Sequence, residues 1–405
     1  MARLALPGSL PRLIGAAATA LVVGAAATHL LHTRGRLAAA GLSAKAGLDA
    51  PKAPEGPPTP EAQEARDPGR GRGAARPHHI PFKGWLDILW RWAGSYFGDR
   101  VGFVAGGVTF FIVLALFPAL GAFVTLYGLF ADPADAWARL QFLYGVLPPT
   151  VAEFLGAQMQ RLAENSTGDL TLTLIWTLLL SLWVANNGIK TLFYGLNVAY
   201  HEVEKRNLVT YNLVCFAFTL SGLAALLVTA VLVVGAPLAL GVLGLTGGCE
   251  ALAAWRWVPL LALYVVALTL IYRFGPCRAH ARWRWLTPGA VVASMASLGL
   301  SGAFSWYLQS FVRTDSYGPL TAVMGFLLWT WLTVQVILMG AELNAEIEHQ
   351  TAVDTTTGPP APLGERGAVM ADTLGPKRGS PAALAFTLKH AEALASRVTR
   401  RRTRG

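Results

Sequence analysis

Charge is scarce in this chain. Only 14% of its 405 residues are Asp, Glu, Lys or Arg, whereas soluble domains carry about 25%. With 54% hydrophobic residues and a mean hydropathy of +0.45, the chain has too few polar groups to cover its own apolar side chains, which argues against a plain soluble enzyme. Cysteine is nearly absent. Cys215, Cys249 and Cys277 are odd in number and include no C-x-x-C spacing, so neither a disulfide framework nor a zinc ribbon is expected. The phosphate loop G-x-x-x-x-G-K-[ST] is also missing, which disfavours an ATP-driven pump. The eight histidines, at 29, 32, 78, 79, 201, 280, 349 and 390, are scattered. Metal-dependent hydrolysis needs His and carboxylates gathered at one point. His78–His79 reads as an exposed pair, and His201 and Glu202, being adjacent, do not face one point on a helix. No metal and no cofactor are expected.

What is present is an excess of basic residues, 33 against 23 acidic ones, for a net charge of +10. Its meaning depends on where the basic residues lie. The chain divides into four stretches. Residues 1–33 hold a weak Ala/Gly-rich apolar segment, Leu13 to Leu31. At 19 residues it is long enough to cross about 30 Å of hydrocarbon. An extra span, a signal segment and a surface helix all remain open for it. Residues 34–80, rich in Pro, Gly and Arg, read as a disordered linker. Residues 81–346 are the hydrophobic body. Residues 347–405 are a polar tail ending in Arg400, Arg401, Arg402 and Arg404.

The body carries six apolar stretches of spanning length, at about 101–129, 168–187, 208–236, 257–274, 288–308 and 319–343. The fold class expected is all-α, a polytopic transmembrane helix bundle of six core spans, with a seventh if Leu13–Leu31 inserts. Pro118 falls inside the first span and should kink it. Just before that span, Trp85, Leu86, Ile88, Leu89 and Trp92 alternate with Lys83, Asp87 and Arg91. This predicts an amphipathic helix lying on the membrane surface with its tryptophans at headgroup level. Similar surface helices are expected around Trp137–Leu147 and Val151–Leu162. Trp255, Trp257, Trp283, Trp285, Trp329 and Trp331 read as aromatic belts.

Lys and Arg are enriched in cytoplasmic loops. Eleven lie between residue 34 and the first span, three in 188–207, four in 273–287 and nine in the tail. The intervening loops hold two, one and one. The count is thus 27 on one side against 4 on the other. This predicts a plasma-membrane protein with linker and tail in the cytoplasm, and an even number of body spans.

Several pieces of the body resemble the YihY/virulence factor BrkB family of bacterial inner-membrane proteins: AGGVTFFIVLALFPAL at 105–120, GLNVAYHEVEKRN at 195–207, PGAVVAS at 288–294, and Tyr317-Gly318 followed by LLWTWLTVQVILMGAELNAE at 327–346. Together they cover about 84–346. The resemblance implies six helical spans with both body ends cytoplasmic. It implies no firmly assigned activity: members are linked to virulence or envelope lipid handling, transport is proposed for them, and an old ribonuclease label is generally regarded as a misassignment.

A polar group inside a span is costly and is by default a functional candidate. Glu342 and Asn344 end the sixth span and read as headgroup-depth anchors, paired with Lys190, Arg206 or Arg273, or as an inner gate. Asn186 and Asn187, followed by Lys190, read as the cap of the second span or the lining of a vestibule. Gln335 reads as a helix–helix hydrogen bond. Asp315 and Tyr317 form an outer turn or gate. The functional expectation is a transporter or lipid translocator with no ATPase and no enzymatic chemistry of its own. The alternatives are a membrane scaffold or envelope-assembly factor and, remotely, a ribonuclease. Expected partners are membrane lipids, including anionic headgroups at the basic tail. No specific nucleic acid is expected, and self-association is left open.

Overall fold

The computed structural model describes residues 67–128, 170–230, 257–311 and 319–380, together with 157 and 383. The N-terminal apolar segment, the two surface helices expected between the first and second spans, and the outer loop with Asp315 and Tyr317 lie outside the described residues. The described chain is helical. Its one strand-like feature is an isolated bridge between Ala281 and Thr356. Helices are α1 (Phe82–Gly98), α2 (Val101–Gly128), α3 (Leu170–Ala199), α4 (Leu208–Ala230), α5 (Trp257–Phe274), α6 (Trp283–Phe311), α7 (Pro319–Glu348) and the short α8 (Val369–Asp372). Helices thus occupy all six expected spans. Stretches of α2, α4, α6 and α7 are long and apolar enough to cross a membrane, and α5 supplies a shorter apolar helix.

The described residues fall into two compact units. The smaller holds 206–230 and 257–263. In it Asn207 caps α4, its side-chain oxygen accepting the Thr210 amide at 2.7 Å, which satisfies one of the free N–H groups of the first turn. Arg206 lies over the Tyr211 ring at 5.5 Å.

In the larger unit α3 packs antiparallel on α2, and α7 packs on α2, α3 and α6. Small residues set the contacts. A side chain at Gly195 would meet Val104 at 2.8 Å and Leu338 at 3.0 Å, and one at Gly107 would meet Thr191 at 3.2 Å. At the α6–α7 crossing, Gly289 and Gly340 bring the two backbones together, with the Tyr272 hydroxyl 2.5 Å from where a Gly340 side chain would begin. Without a hydrophobic drive between helices in lipid, such close approach is how they gain packing energy. Hydroxyls inside the helices are satisfied locally: Thr109, Thr191, Ser294 and Thr330 each donate to the carbonyl four residues earlier. Large apolar side chains point outward instead, among them Phe103, Phe110, Trp176, Leu298 and Trp306. Exposure on this scale is costly in water and ordinary in lipid. Pro118 lies inside α2, where its ring removes the amide that would bond Leu114.

The structure changes three expectations. First, Trp85 and Trp92 do not form the outward face of α1. Trp85 and Trp92 turn inward against Ile80, Ile88, Trp285, Leu343 and Ile347, and Trp92 donates to the Met339 carbonyl at 2.9 Å. The outward stripe is Phe82, Leu86, Leu89 and Phe97, while the polar face of Asp87, Arg91 and Ser95 is the buried one. Several belt tryptophans likewise bind helices together. Trp285 is fully buried, Trp331 donates to Gly102 at 2.8 Å and Trp329 to Ser301 at 3.2 Å.

Second, the body does not begin at 81. Residues 67–80, expected to be disordered, fold through two 3-10 turns, Pro68–Arg70 and Pro77–His79. Third, the tail is folded as far as it is described. Residues 349–380 wrap back over the same end, with Ala352 N–H donating to the Arg72 carbonyl at 2.7 Å and Gly375 N–H to the His349 carbonyl at 2.9 Å.

Candidate functional site

At about 1.5 Å per residue, the 30 residues of α7 run some 45 Å, longer than about 30 Å of hydrocarbon. The surplus places Glu342, Glu346 and Glu348 at one end of the bundle, here the polar end. Three other junctions arrive at the same level. Asp99 and Arg100 join α1 to α2, residues 200–205 follow α3, and 275–282 join α5 to α6. Asn197 ties two of them, donating to Glu204 at 3.0 Å and accepting the Cys277 amide at 2.7 Å. Arg100 and His201 have φ of 55° and 54°, the two non-glycine residues in the left-handed region among the described residues. They sit where α2 begins and where the chain turns out of α3.

Arginines fasten this end. Arg91 Nε lies 2.6 Å from Glu346 Oε2, and the same guanidinium donates to Gln350 Oε1 at 2.8 Å. Ser95 donates to the other Glu346 oxygen at 3.2 Å. Arg278 meets Glu348 at 2.6 Å and lies over the Tyr200 ring at 4.6 Å. Arg70 grips Asp87 at 2.7 Å. Arg72 and Arg366 donate to backbone carbonyls, Arg72 to Gln350 at 3.2 Å and Arg366 to Ala371 at 2.7 Å and Ala352 at 2.6 Å. Several of the basic residues outside the spans are therefore structural. Burial by itself would lower the Arg278 affinity for its proton; Glu348 beside it turns the balance upward. Burial pushes the Tyr200 phenol far above its usual value.

Six carboxyls are buried at the polar end and in the adjoining tail: Asp87, Glu202, Glu342, Glu346, Glu348 and Asp354. Five have a basic partner, with Lys205 at 3.5 Å from Glu202 and Arg366 at 3.9 Å from Asp354 completing the set. Glu342 is the exception: it is 0% exposed and has no basic partner, and the side chain set against it is another carboxyl, Asp99. One oxygen each of Glu202 and Glu348 lacks a hydrogen bond.

The expected site residues are not brought together. Asn344 is a strut between helices: it accepts from Gly289 N–H and donates to the Leu286 carbonyl, both at 2.8 Å. Gln335 accepts the Tyr96 hydroxyl, the helix–helix bond expected of it, with α1 as the donor. Asn186 and Asn187 cap nothing, because α3 continues to Ala199. With Lys190 they are half-buried inside that helix. Ten residues separate Lys190 from Tyr200, about 15 Å along the axis. Glu342 forms no ion pair with Lys190 or Arg273, and Arg206 belongs to the other compact unit. The residues that sequence reasoning missed are Arg91, Asp99, Tyr200, Arg278, Glu346 and Glu348. One signal was available: Asp87, Arg91 and Ser95 recur at four-residue steps, which marks one helical face.

Long apolar helices with outward aromatic side chains, joined at a polar end by buried ion pairs, define a polytopic helical membrane protein. A family model described as virulence factor BrkB matches residues 93–364, and the chain belongs to that family. It is 26% identical over 254 residues to YfkH of Bacillus subtilis (strain 168), named as ribonuclease-like, covering 59% of this chain and 86% of that protein. It is 30% identical over 267 residues to a UPF0761 membrane protein of Xanthomonas axonopodis pv. citri, covering 64% of this chain and 60% of the relative. The match thus spans less than two thirds of the Xanthomonas protein. A UPF0761 membrane protein of Aggregatibacter aphrophilus is 22% identical over 268 residues, 66% of this chain and 92% of the relative. No solved structure matches the chain. Among the described residues, no three His, Cys, Asp or Glu side chains gather as a metal site would require.

Proposed function

We propose that this protein is a transporter or translocator of a lipid or other envelope component in the bacterial inner membrane, with no ATPase and no catalytic chemistry of its own. The observation that carries the reading is the polar end. Glu202 and Glu348 each hold a buried oxygen without a hydrogen bond and Glu342 a buried carboxyl without a basic partner, and buried polar groups in a closed, static bundle are almost always paired. Unpaired groups at one level of a helix bundle are what a water-filled vestibule leaves behind. The distribution of Lys and Arg supports an orientation with the polar end, 67–80 and the tail in the cytoplasm. By their charge alone, the basic residues of 397–404 favour anionic lipid headgroups as a partner.

A second reading, a scaffold or assembly factor, draws on the arginine-fastened cap, which gives the polar end a folded surface for a protein partner. Lipid analysis of a deletion strain, combined with flux measurements in vesicles holding the purified chain, separates the two. Accumulation of one lipid class and its movement across the vesicle membrane are expected. Unchanged lipids together with absent flux would leave the scaffold.

A further inference from the structure

A buried carboxylate with no counter-charge is among the most costly groups a protein can hold, so such a group takes up a proton, binds a cation or finds an arginine. Of the other five buried carboxyls, four found an arginine and Glu202 found Lys205; Glu342 found neither. The charges acting on it are themselves carboxyls, Asp99 at the α1–α2 junction and Glu346 one turn further along α7. The cations of the neighbouring elements are engaged elsewhere or exposed. Arg91 is held by Glu346 and Gln350, Arg278 by Glu348, and Arg282 of the α5–α6 loop donates to the Thr356 carbonyl at 2.9 Å. Arg100 and Arg284 are exposed. From the end of α3 comes Tyr200, fully buried, whose hydroxyl has Asn344 beside it and feels the Glu342 charge. From α5 the Tyr272 hydroxyl is spent on the Ile337 carbonyl at 2.6 Å.

A graded path leads outward. Glu342 is 0% exposed, the Asp99 side chain 21% and the His201 side chain 43%, and His201 Nε2 lies 3.3 Å from Asp99 Oδ2. His201 stands in the left-handed backbone region, a costly conformation for a non-glycine residue.

We propose that Glu342 is a proton-binding site, loaded and unloaded from the polar end through Asp99 and His201. The proton comes from water, rests on the Glu342 carboxyl, and returns by the same route, with no covalent bond beyond the O–H made or broken. The inference goes beyond the transport reading and does not depend on it, because its readout is protonation rather than flux.

The test is infrared titration of the full chain in lipid nanodiscs. The wild type should show a carboxylic-acid carbonyl band at neutral pH that disappears as pH is raised. E342Q should lack that band while retaining the wild-type melting temperature at neutral pH, since the amide resembles the protonated acid in shape and charge. D99N should keep the band and lose it at lower pH, because a neighbouring negative charge is gone. A wild type without the band at neutral pH, or a band undiminished in E342Q, overturns the proposal. So does a missing band combined with a sodium-dependent rise in melting temperature that E342Q abolishes, which would assign the site to a metal cation.

Discussion

Arg91 on α1 and Glu346 on α7 form a buried ion pair, Nε to Oε2 2.6 Å, across 255 residues of chain, with side chains 0% and 2% exposed. The pair sits where the segment before the first span, the last long helix and the folded tail meet. Removing one partner should strand the other. Arg91→Ala or Glu346→Ala should therefore cost about 3–5 kcal/mol each, whereas an apolar pair of similar volume, Arg91→Met with Glu346→Leu, should recover most of it. Thermal unfolding of the solubilised protein checks this; single variants as stable as the wild type would show that the pair carries nothing.

The α6–α7 crossing depends on the absence of two side chains. A Cβ on Gly289 would collide with the Gly340 carbonyl and with Asn344. Gly289→Ala should destabilise by about 1–3 kcal/mol or more, as overpacking does. On the same helix Gly299 and Gly302 have nothing within 4 Å. Alanine there should be neutral or stabilise by up to about 1 kcal/mol through helix propensity. Equal melting temperatures for Gly289→Ala and Gly299→Ala would contradict the close crossing.

Acid should loosen the cap in two stages. Burial holds the His349 imidazole below its usual 6.5 even with Glu346 at 3.5 Å. Burial works to raise Asp354, but hydrogen bonds from the Thr356 hydroxyl and amide and from the Ala361 amide outweigh it and hold the carboxyl below 3.8. For both groups the unfolded chain takes up the proton first as pH falls, so folding loses free energy with acidity. The contribution of His349 is full above pH 6.5 and is lost as pH falls through its lowered value; that of Asp354 is lost below 3.8. His349→Gln should flatten the first decline in a plot of melting temperature against pH. A slope unchanged by that substitution would assign the decline to another group.

Ending the chain after Ala383 should leave the melting temperature unchanged, since the hydrogen bonds to Arg72, Arg91 and Arg366 fall before it. Ending it after Glu348 removes Gln350, Gly375 and Pro376, partners of Arg72 and Arg91, and should cost several kcal/mol, because it leaves buried guanidinium groups unpaired. Limited proteolysis of the two truncations compares them directly; equal resistance would mean the wrapped tail does not hold the polar end.

Apolar run length and composition alone determined that this is an all-helical membrane protein with helices at six places, because a chain in lipid must satisfy its backbone within each segment. The Gly-Ala-Glu-Leu-Asn run at 340–344 and the Gly-Ala pair at 289–290 were equally legible and led to the right family. The sequence also carried the amphipathic pattern of α1, but not its sense. A helix with one polar and one apolar face reads the same whether the polar face meets water or a buried glutamate. Only the tertiary structure turned Asp87, Arg91 and Ser95 inward and Phe82, Leu86, Leu89 and Phe97 out. The basic residues followed the same course. Their sum by segment bore on orientation, while their individual roles depended on partners more than 200 residues away, as with Arg72 and Gln350. Glu342 differs from Glu346 in nothing a sequence shows: same residue type, same helix, one turn apart. What separates them is that Arg91 of α1 reaches Glu346, and Asp99 faces Glu342. That difference arises from packing geometry, and a linear pattern does not encode it.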